Sequence, residues 1–380
     1  MENLQWQIQR MPDSAERDVF ETQPPVQSSN TFLNVAHRTE CGYLFELTCE
    51  VNMSWRTLLS MLIVALWVST TLYGQAAKPW KTPRTADGQQ PDLQGTWTTS
   101  TLTSLERPAE FAGKPILTEQ EAKEYEARLL RDGNRDRRGA TAELDVGGAY
   151  NEFWFERGTH IVDSRRTSLI IDPPDGKIPP LTPEAQRRQA AVAEYRRQHP
   201  GDGPEDFSLN NRCILWPTAG PPMLPGGYNN NYQIIQAPGY VTILVEMIHD
   251  ARIIPLDNGS HLPSPVRQWM GDSRGHWEAD TLVVETTNFT NKTNFRGAGE
   301  NMRLIERFTR TDANTIVYEF TVNDPSSFTR PWTAQIPMKK TAAPLLEYAC
   351  HEGNYAMEGM LGGVRAEEKK AADAQKAGTR

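Results

Sequence analysis

Apolar and polar residues alternate most cleanly in the second half of the chain. Ile316, Tyr318, Phe320 and Val322 alternate with Thr315, Val317, Glu319 and Thr321, and Trp332, Ala334, Ile336 and Met338 alternate with polar partners. A period of two puts one set on each face of an extended strand. Tyr232 to Gln236 and Tyr240 to Ile248 flank Ala237-Pro238-Gly239, a hairpin signal. Two further hairpins share a turn pattern: Glu278-Ala279-Asp280-Thr281 before Leu282-Val283-Val284-Glu285, and Asp312-Ala313-Asn314-Thr315 before Ile316-Val317-Tyr318-Glu319. Asp280 and Asn314 are types that tolerate the left-handed backbone of a short hairpin loop. Short strands joined by turns, without intervening helices, predict a mainly β fold, an antiparallel meander closing into a barrel or folding as a sandwich. A β-propeller would need a blade every ~40 residues, and these few hairpins do not establish one.

Helices are expected at the periphery. Thr118-Glu119-Gln120-Glu121 has the form of a capping box and opens a helix to about Arg131. Thr182 caps a second helix, with Pro183 in its first position, to about Gln198. Weaker patterns predict a strand pair around His160 to Asp163 and Ser168 to Asp172, and a last strand from Leu345 to Cys350. A C-terminal helix follows, with residues 366–380 as a frayed, Lys/Ala/Glu-rich tail. Pro217 to Asn231, rich in Pro, Gly and Asn, reads as a long loop of the functional or mobile kind.

The longest apolar run, Leu58 to Tyr73, follows Arg56 and precedes Gly74-Gln75-Ala76-Ala77. This is the pattern of a secretory signal peptide over residues 53–77, with initiation at Met53 and cleavage after Ala76 or Ala77. A retained anchor is the other reading, but the run falls short of the ~20 apolar residues of a spanning helix and is rich in Ser and Thr. Residues 1–52 show no periodicity and read as a start-site artefact or disordered extension. One barrel-like domain is expected over residues 78–365. The first 77 residues hold four of the 40 basic and eight of the 48 acidic residues, so the exported part keeps a net charge of −4. Such a balance gives no footprint for nucleic acid. The exported part retains two of the four cysteines, Cys213 and Cys350. In an oxidising compartment they are expected to form one disulfide, the other possibility being two buried thiols. A periplasmic or secreted protein follows, without a stable membrane span once the signal is removed.

Candidate chemistry clusters in the β half. Asp272, Arg274, His276 and Glu278 occupy alternate positions and share one face. In a barrel lumen they would form a polar site with His276 active near neutral pH; on an outer face, with Arg274 opposite Glu285, they would form an ion-pair ladder. His249, Asp250 and Arg252, with Asp257 and His261, sit where an apolar strand gives way to polar residues, at a barrel rim. A His there is either part of a site or a hydrogen-bonded structural residue. Glu306 lies in an apolar row between Leu304 and Phe308, and so serves as general acid or base or pairs with a buried Arg such as Arg330. His351 and Glu352 follow Cys350. His249, His261, His276 and His351 lack tight ligand spacing, so neither a metal nor another cofactor is expected. Tyr228, Asn229, Asn230, Asn231 and Tyr232 suit a polar, ring-bearing ligand or form a plain crossover with Asn in turn positions, and Trp269 is a further substrate-binding candidate. No Gly-rich phosphate loop, Ser elbow or dinucleotide fingerprint occurs.

Gly95-Thr96-Trp97 at the first strand resembles the Gly-x-Trp of lipocalin-type barrels, where the Trp closes the floor; a Trp on an ordinary core strand is the plainer reading. The fold expectation is thus calycin- or lipocalin-like. At Gly271 to Thr286 (GDSRGHWEADTLVVET), Gly227 to Gln233, Asn151 to Gly158 and Arg166 to Gly176 the chain resembles a large family of secreted, mostly soil-bacterial proteins without an established activity. That resemblance covers most of Pro91 to Arg365 and implies export and one continuous domain, with no catalytic residues carried over. The functional expectation is a periplasmic hydrolase or lyase acting on a small polar or glycan-derived substrate. His249 or His276 would be acid or base, Asp272, Glu278 or Glu306 its partner, and Arg252 or Arg274 the anion-holding group. The other readings are a lipocalin-type carrier of an apolar or aromatic molecule and an envelope assembly partner.

Overall fold

The computed structural model describes residues 80–137, 141–142, 145, 151–293 and 295–378. The expected signal peptide at 53–77 and the segment before it lie outside these residues. Ten strands run β1 (Gly95–Thr98), β2 (Ile170–Asp172), β3 (Asn231–Ala237), β4 (Tyr240–Val245), β5 (Ala251–Pro255), β6 (Asp272–Glu278), β7 (Thr281–Thr287), β8 (Arg303–Asp312), β9 (Thr315–Asn323) and β10 (Trp332–Lys340). Among the described residues three α-helices accompany them, α1 (Glu119–Gly133), α2 (Pro183–Gln198) and α3 (Tyr355–Gly378). Nine strands pair in the order β5-β4-β3-β1-β10-β9-β8-β7-β6, with β2 added beside β10. All the pairings are antiparallel. The result is a nearly closed barrel.

The barrel is a meander in two pieces, β3–β5 and β6–β10, bridged by the early strand β1. The alternation read from β9 and β10 is the division between lumen and outer face. Ile316, Tyr318, Phe320, Val322, Trp332, Ala334, Ile336 and Met338 are all fully buried. Trp97, Tyr232 and Phe308 join them, and the lumen is filled by side chains. Phe308 and Tyr318 stand 4.9 Å apart and Phe295 stacks on Trp332 at 6.0 Å. Each such side chain contributes about 1.5–3 kcal/mol by leaving water. Trp97 donates from Nε1 to the Leu93 carbonyl at 2.9 Å, and the Arg310 guanidinium lies 5.5 Å from its ring centre, closing one end.

Local chemistry explains the turns. Pro238 and Gly239 join β3 to β4, and Gly239 takes a φ of 78°, as the third residue of a type II turn must. Between β6 and β7 the left-handed residue is Ala279, at φ 53°, rather than Asp280, and neither Ala313 nor Asn314 takes that conformation between β8 and β9. The strand expected through Ile248 stops at Val245, because Ile248 and His249 both adopt positive φ and turn the chain into β5. β5 itself lacks a clear signal, since the inward Arg252 interrupts its apolar row. Of the weaker strands, only Ile170–Asp172 forms; residues 160–163 and 345–350 are irregular.

Both capped helices begin where expected. The Thr118 hydroxyl accepts from Glu121 N, the Glu121 carboxylate accepts from Thr118 N, and Lys114 pairs with the same carboxylate. Ala122 and Tyr125, one turn apart, are the buried face of α1. Thr182 caps α2 by accepting from Ala185 N at 3.2 Å. Arg365 of α3 donates to the carbonyls of Gly201 and Asp202, and the helix continues unbroken through most of the tail expected to fray. Cys213 and Cys350 are bonded, 137 positions apart in sequence. Among the described residues no helix is long and apolar enough to cross a membrane.

Candidate functional site

The β6 row that concentrates acid, base and cation lies outside the barrel. Ser273 and Gly275 face inward, which turns Asp272, Arg274, His276 and Glu278 outward. Arg274 stands opposite Glu285 in register, but Glu285 pairs instead with Arg303 on β8. His276 meets Glu278 at 3.3 Å, and Glu278 also accepts from Arg307. Those two contacts, led by Arg307, hold the Glu278 carboxyl below its ordinary range. At the other end of the row, Asp272 accepts from His261 Nδ1 at 2.8 Å and from Leu262 N at 3.0 Å, and His261 Nε2 lies 3.6 Å from Glu285. Of the two histidine–carboxylate pairs that the fold assembles from the candidates, His261–Asp272 is the shorter and the less exposed, and His276–Glu278 lies in solvent.

Glu306 is inside and fully buried, and its partner is Arg252 of β5. Arg330 instead forms an exposed pair with Asp172. Arg252 donates from Nη1 and Nη2 to both carboxylate oxygens, from Nη2 to Thr286 Oγ1 at 3.1 Å, and from Nε to Ser273 Oγ at 3.0 Å. Tyr318 donates to Glu306 Oε1 at 2.8 Å and accepts from Met223 N. Burial first, then the Glu306 charge, push the Tyr318 hydroxyl well above its usual pKa, so it remains a donor. A buried charge pair survives when its remaining polar atoms are satisfied, and this one is bonded at each carboxylate oxygen.

The network sits at the place where the barrel fails to close. β5 and β6 run side by side without a backbone ladder between them. Gly275 permits the approach: a Cβ there would lie 2.8 Å from Leu256 and 2.9 Å from Ile254. Over this seam opens a cleft of about 540 Å³ walled by Asp250, Arg252, Arg267, Gln268, Trp269, Asp272 and Ser273, among others. Arg252 and Ser273 belong both to the cleft and to the network beneath it. Asp250 is the unsettled member. Its Oδ2 is enclosed and has no hydrogen-bond partner, and burial raises the carboxyl above its ordinary pKa despite the neighbouring His249.

The other candidates lie elsewhere. His249 contacts the Tyr348 carbonyl through Nδ1 at 3.1 Å, on the chain leading to the disulfide. Asn230 is buried and closes its own loop: Nδ2 donates to the carbonyls of Glu156 and Gly226, and Oδ1 accepts from Gly226 N. Tyr228 packs against Phe155 and Trp216. Among the described residues no group of three or more His, Cys, Asp or Glu side chains is placed to hold a metal ion. Of the sequence candidates, the seam therefore gathers Arg252, Trp269 and Asp272, with His261 attached, and leaves His249, His276, Glu278, Tyr228 and Asn230 outside. It adds Asp250, Arg267 and Gln268. One signal for the inner pair was available: Arg252 alternates with Ile254 as Glu306 does with Leu304 and Phe308, opposite charges each set in an apolar row.

No family model, no curated protein and no solved structure matches the chain. The fold and the seam geometry therefore carry the functional reading.

Proposed function

We propose that this is an exported enzyme of the acid–base type, a hydrolase or lyase, that works on a small polar or glycan-derived substrate in the cleft over the β5–β6 seam. The observation that carries the proposal is Asp250, a half-buried carboxyl whose enclosed Oδ2 has no hydrogen-bond partner and whose pKa is raised, in the wall of an open cleft. A carboxyl held above its ordinary range by burial is suited to a proton-transfer role. Asp272 sits in a different environment, as acceptor from His261 and Leu262 N, and two carboxyls in unlike surroundings divide acid and base roles. Arg267, held through Nη1 by the carbonyls of Phe289 and Glu300, would meet an anionic substituent and Trp269 the face of a sugar ring. The packed lumen leaves little room for a lipocalin-like cargo, which favours the seam as the binding place. Export agrees with the apolar run before Lys78 and with the Cys213–Cys350 disulfide, a bond that persists in oxidising compartments. Export, the secreted soil-bacterial family and a single mature domain belong to this same reading.

The test is a panel of chromogenic glycosides, uronides and esters assayed with the wild type and with Asp250→Asn. Turnover is expected to fall at least ~100-fold in the variant, the scale of a lost general acid or base, with unchanged circular dichroism. A substrate turned over equally fast by both proteins would remove the seam from the chemistry.

A further inference from the structure

On a chain of net charge −8, several exposed cations stand beside carboxylates: Arg303 by Glu285, Arg307 by Glu278, Arg330 by Asp172 and Lys339 by Asp163. Three do not. Arg196, Lys292 and Arg296 come together around a second cleft, of about 380 Å³, and none of them has an ion pair among the described residues. Arg196 stands in the last turn of α2, while Lys292 and Arg296 bracket the buried Thr293 and Phe295 in the loop before β8. Glu205 and Asp206 share a neighbouring groove with Arg196, but no ion pair forms, and Asp206 accepts from Gly203 N. Arg296 adopts a φ of 55°, a left-handed conformation that L residues with a side chain rarely enter. Gly297 follows at φ 100°, and the reversal carries Arg296 into the walls of this cleft and the adjoining one.

Beneath the cations the cleft is apolar. Leu209, Leu215, Trp216 and Phe295 line it, with Trp216 half-buried and held by edge contacts to Tyr348 at 6.0 Å and Tyr228 at 6.2 Å. An apolar floor under unneutralised cations matches a ligand with a flat apolar body and an anionic end. The floor lowers the local dielectric and strengthens attraction that exposed charges would otherwise lose to solvent. The disulfide stands close by: Trp216 also lines the small cleft formed by Cys213, Tyr348 and Cys350, so this wall is tied to the C-terminal segment.

We infer that the Arg196–Lys292–Arg296 cleft is a second binding site, distinct from the seam, for a small aromatic carboxylate. The probe is benzoate, titrated into the full chain while the tryptophan indole resonances are followed by 15N NMR, with Trp216→Phe identifying the Trp216 signal. Benzoate is expected to move that signal and saturate below about 1 mM. Arg196→Met, Lys292→Met and Arg296→Met should each weaken binding about 3- to 10-fold, in keeping with exposed charged contacts. Benzyl alcohol, which lacks the charge, and inorganic phosphate, which lacks the ring, should each bind at least ~10-fold more weakly. Asp250→Asn should leave benzoate binding unchanged, which separates this site from the seam. An unmoved Trp216 signal would overturn the inference. So would benzyl alcohol binding as tightly as benzoate, phosphate binding as tightly, or indifference to all three Met variants. These cations are exposed and outside the core, so the variants test binding rather than folding.

Discussion

Arg252 on β5 forks onto the carboxylate of Glu306 on β8, joining two strands that lie on opposite sides of the one seam the barrel leaves without a backbone ladder. Its Nε and Nη2 also reach Ser273 on β6 and Thr286 on β7. A side-chain network thus does here what hydrogen-bonded strands do elsewhere around the barrel.

Removing one partner of that pair leaves a buried charge without compensation. Glu306→Leu and Arg252→Met are each expected to destabilise by about 3–5 kcal/mol, whereas the double variant, apolar throughout, should lose far less than the sum. Urea denaturation of the four proteins measures the coupling. Additive losses would show that the pair does not act as a unit.

Tyr318→Phe removes a donor from Glu306 and leaves Met223 N without its acceptor. The expected loss is about 1–3 kcal/mol by denaturant titration. A neutral result would mean that the hydroxyl is dispensable to the network.

Asp250 makes a prediction of unusual sign. Its carboxyl has a raised pKa in the folded chain, so the folded state holds the proton more tightly than the unfolded state does. Stability from this group is therefore greatest below the ordinary value of 3.8 and falls as pH rises through the window above it. Asp250→Asn should raise the melting temperature at pH 7 relative to the wild type and bring little gain at pH 3. Equal effects at both pH values would show that the carboxyl is not strained by its surroundings.

The disulfide closes a loop of 137 residues. Loop-closure entropy assigns such a cross-link roughly 4–5 kcal/mol. Cys213→Ser with Cys350→Ser should lower stability by up to that amount, and dithiothreitol should do the same to the wild type without affecting the double variant. Melting curves with and without reductant decide it.

Ala279 holds a left-handed turn position between β6 and β7. Ala279→Gly relieves that conformation and is expected to stabilise by roughly 0.5–1 kcal/mol once the added flexibility of the unfolded chain is offset. A destabilised variant would mean that the turn relaxes to another type.

Much of this architecture was legible from local patterns. The two-residue alternation of Ile316 to Val322 and of Trp332 to Met338 is imposed by strand geometry, so it marked which residues fill the lumen before any partner was known. Thr118 and Thr182 marked helix starts because capping satisfies backbone donors within a few residues. Leu345 to Cys350 carried strand-like composition, yet it pairs with no strand and is irregular. Composition and period, then, determined a mainly antiparallel β protein with capped helices and a cysteine pair.

Which face of β6 looked inward was a different kind of question. Asp272, Arg274, His276 and Glu278 share a face by geometry, but Gly275 packed against Ile254 of β5 and Leu256 just after it, from the far end of the sheet, turned that face to the outside of the barrel. The same closure chose Arg252 rather than Arg330 for Glu306 and left Asp250 enclosed beside the seam. Local sequence fixes the period of a strand because neighbouring side chains obey backbone stereochemistry. The partners of a buried charge depend on which distant strands meet, and only the closed sheet decides that.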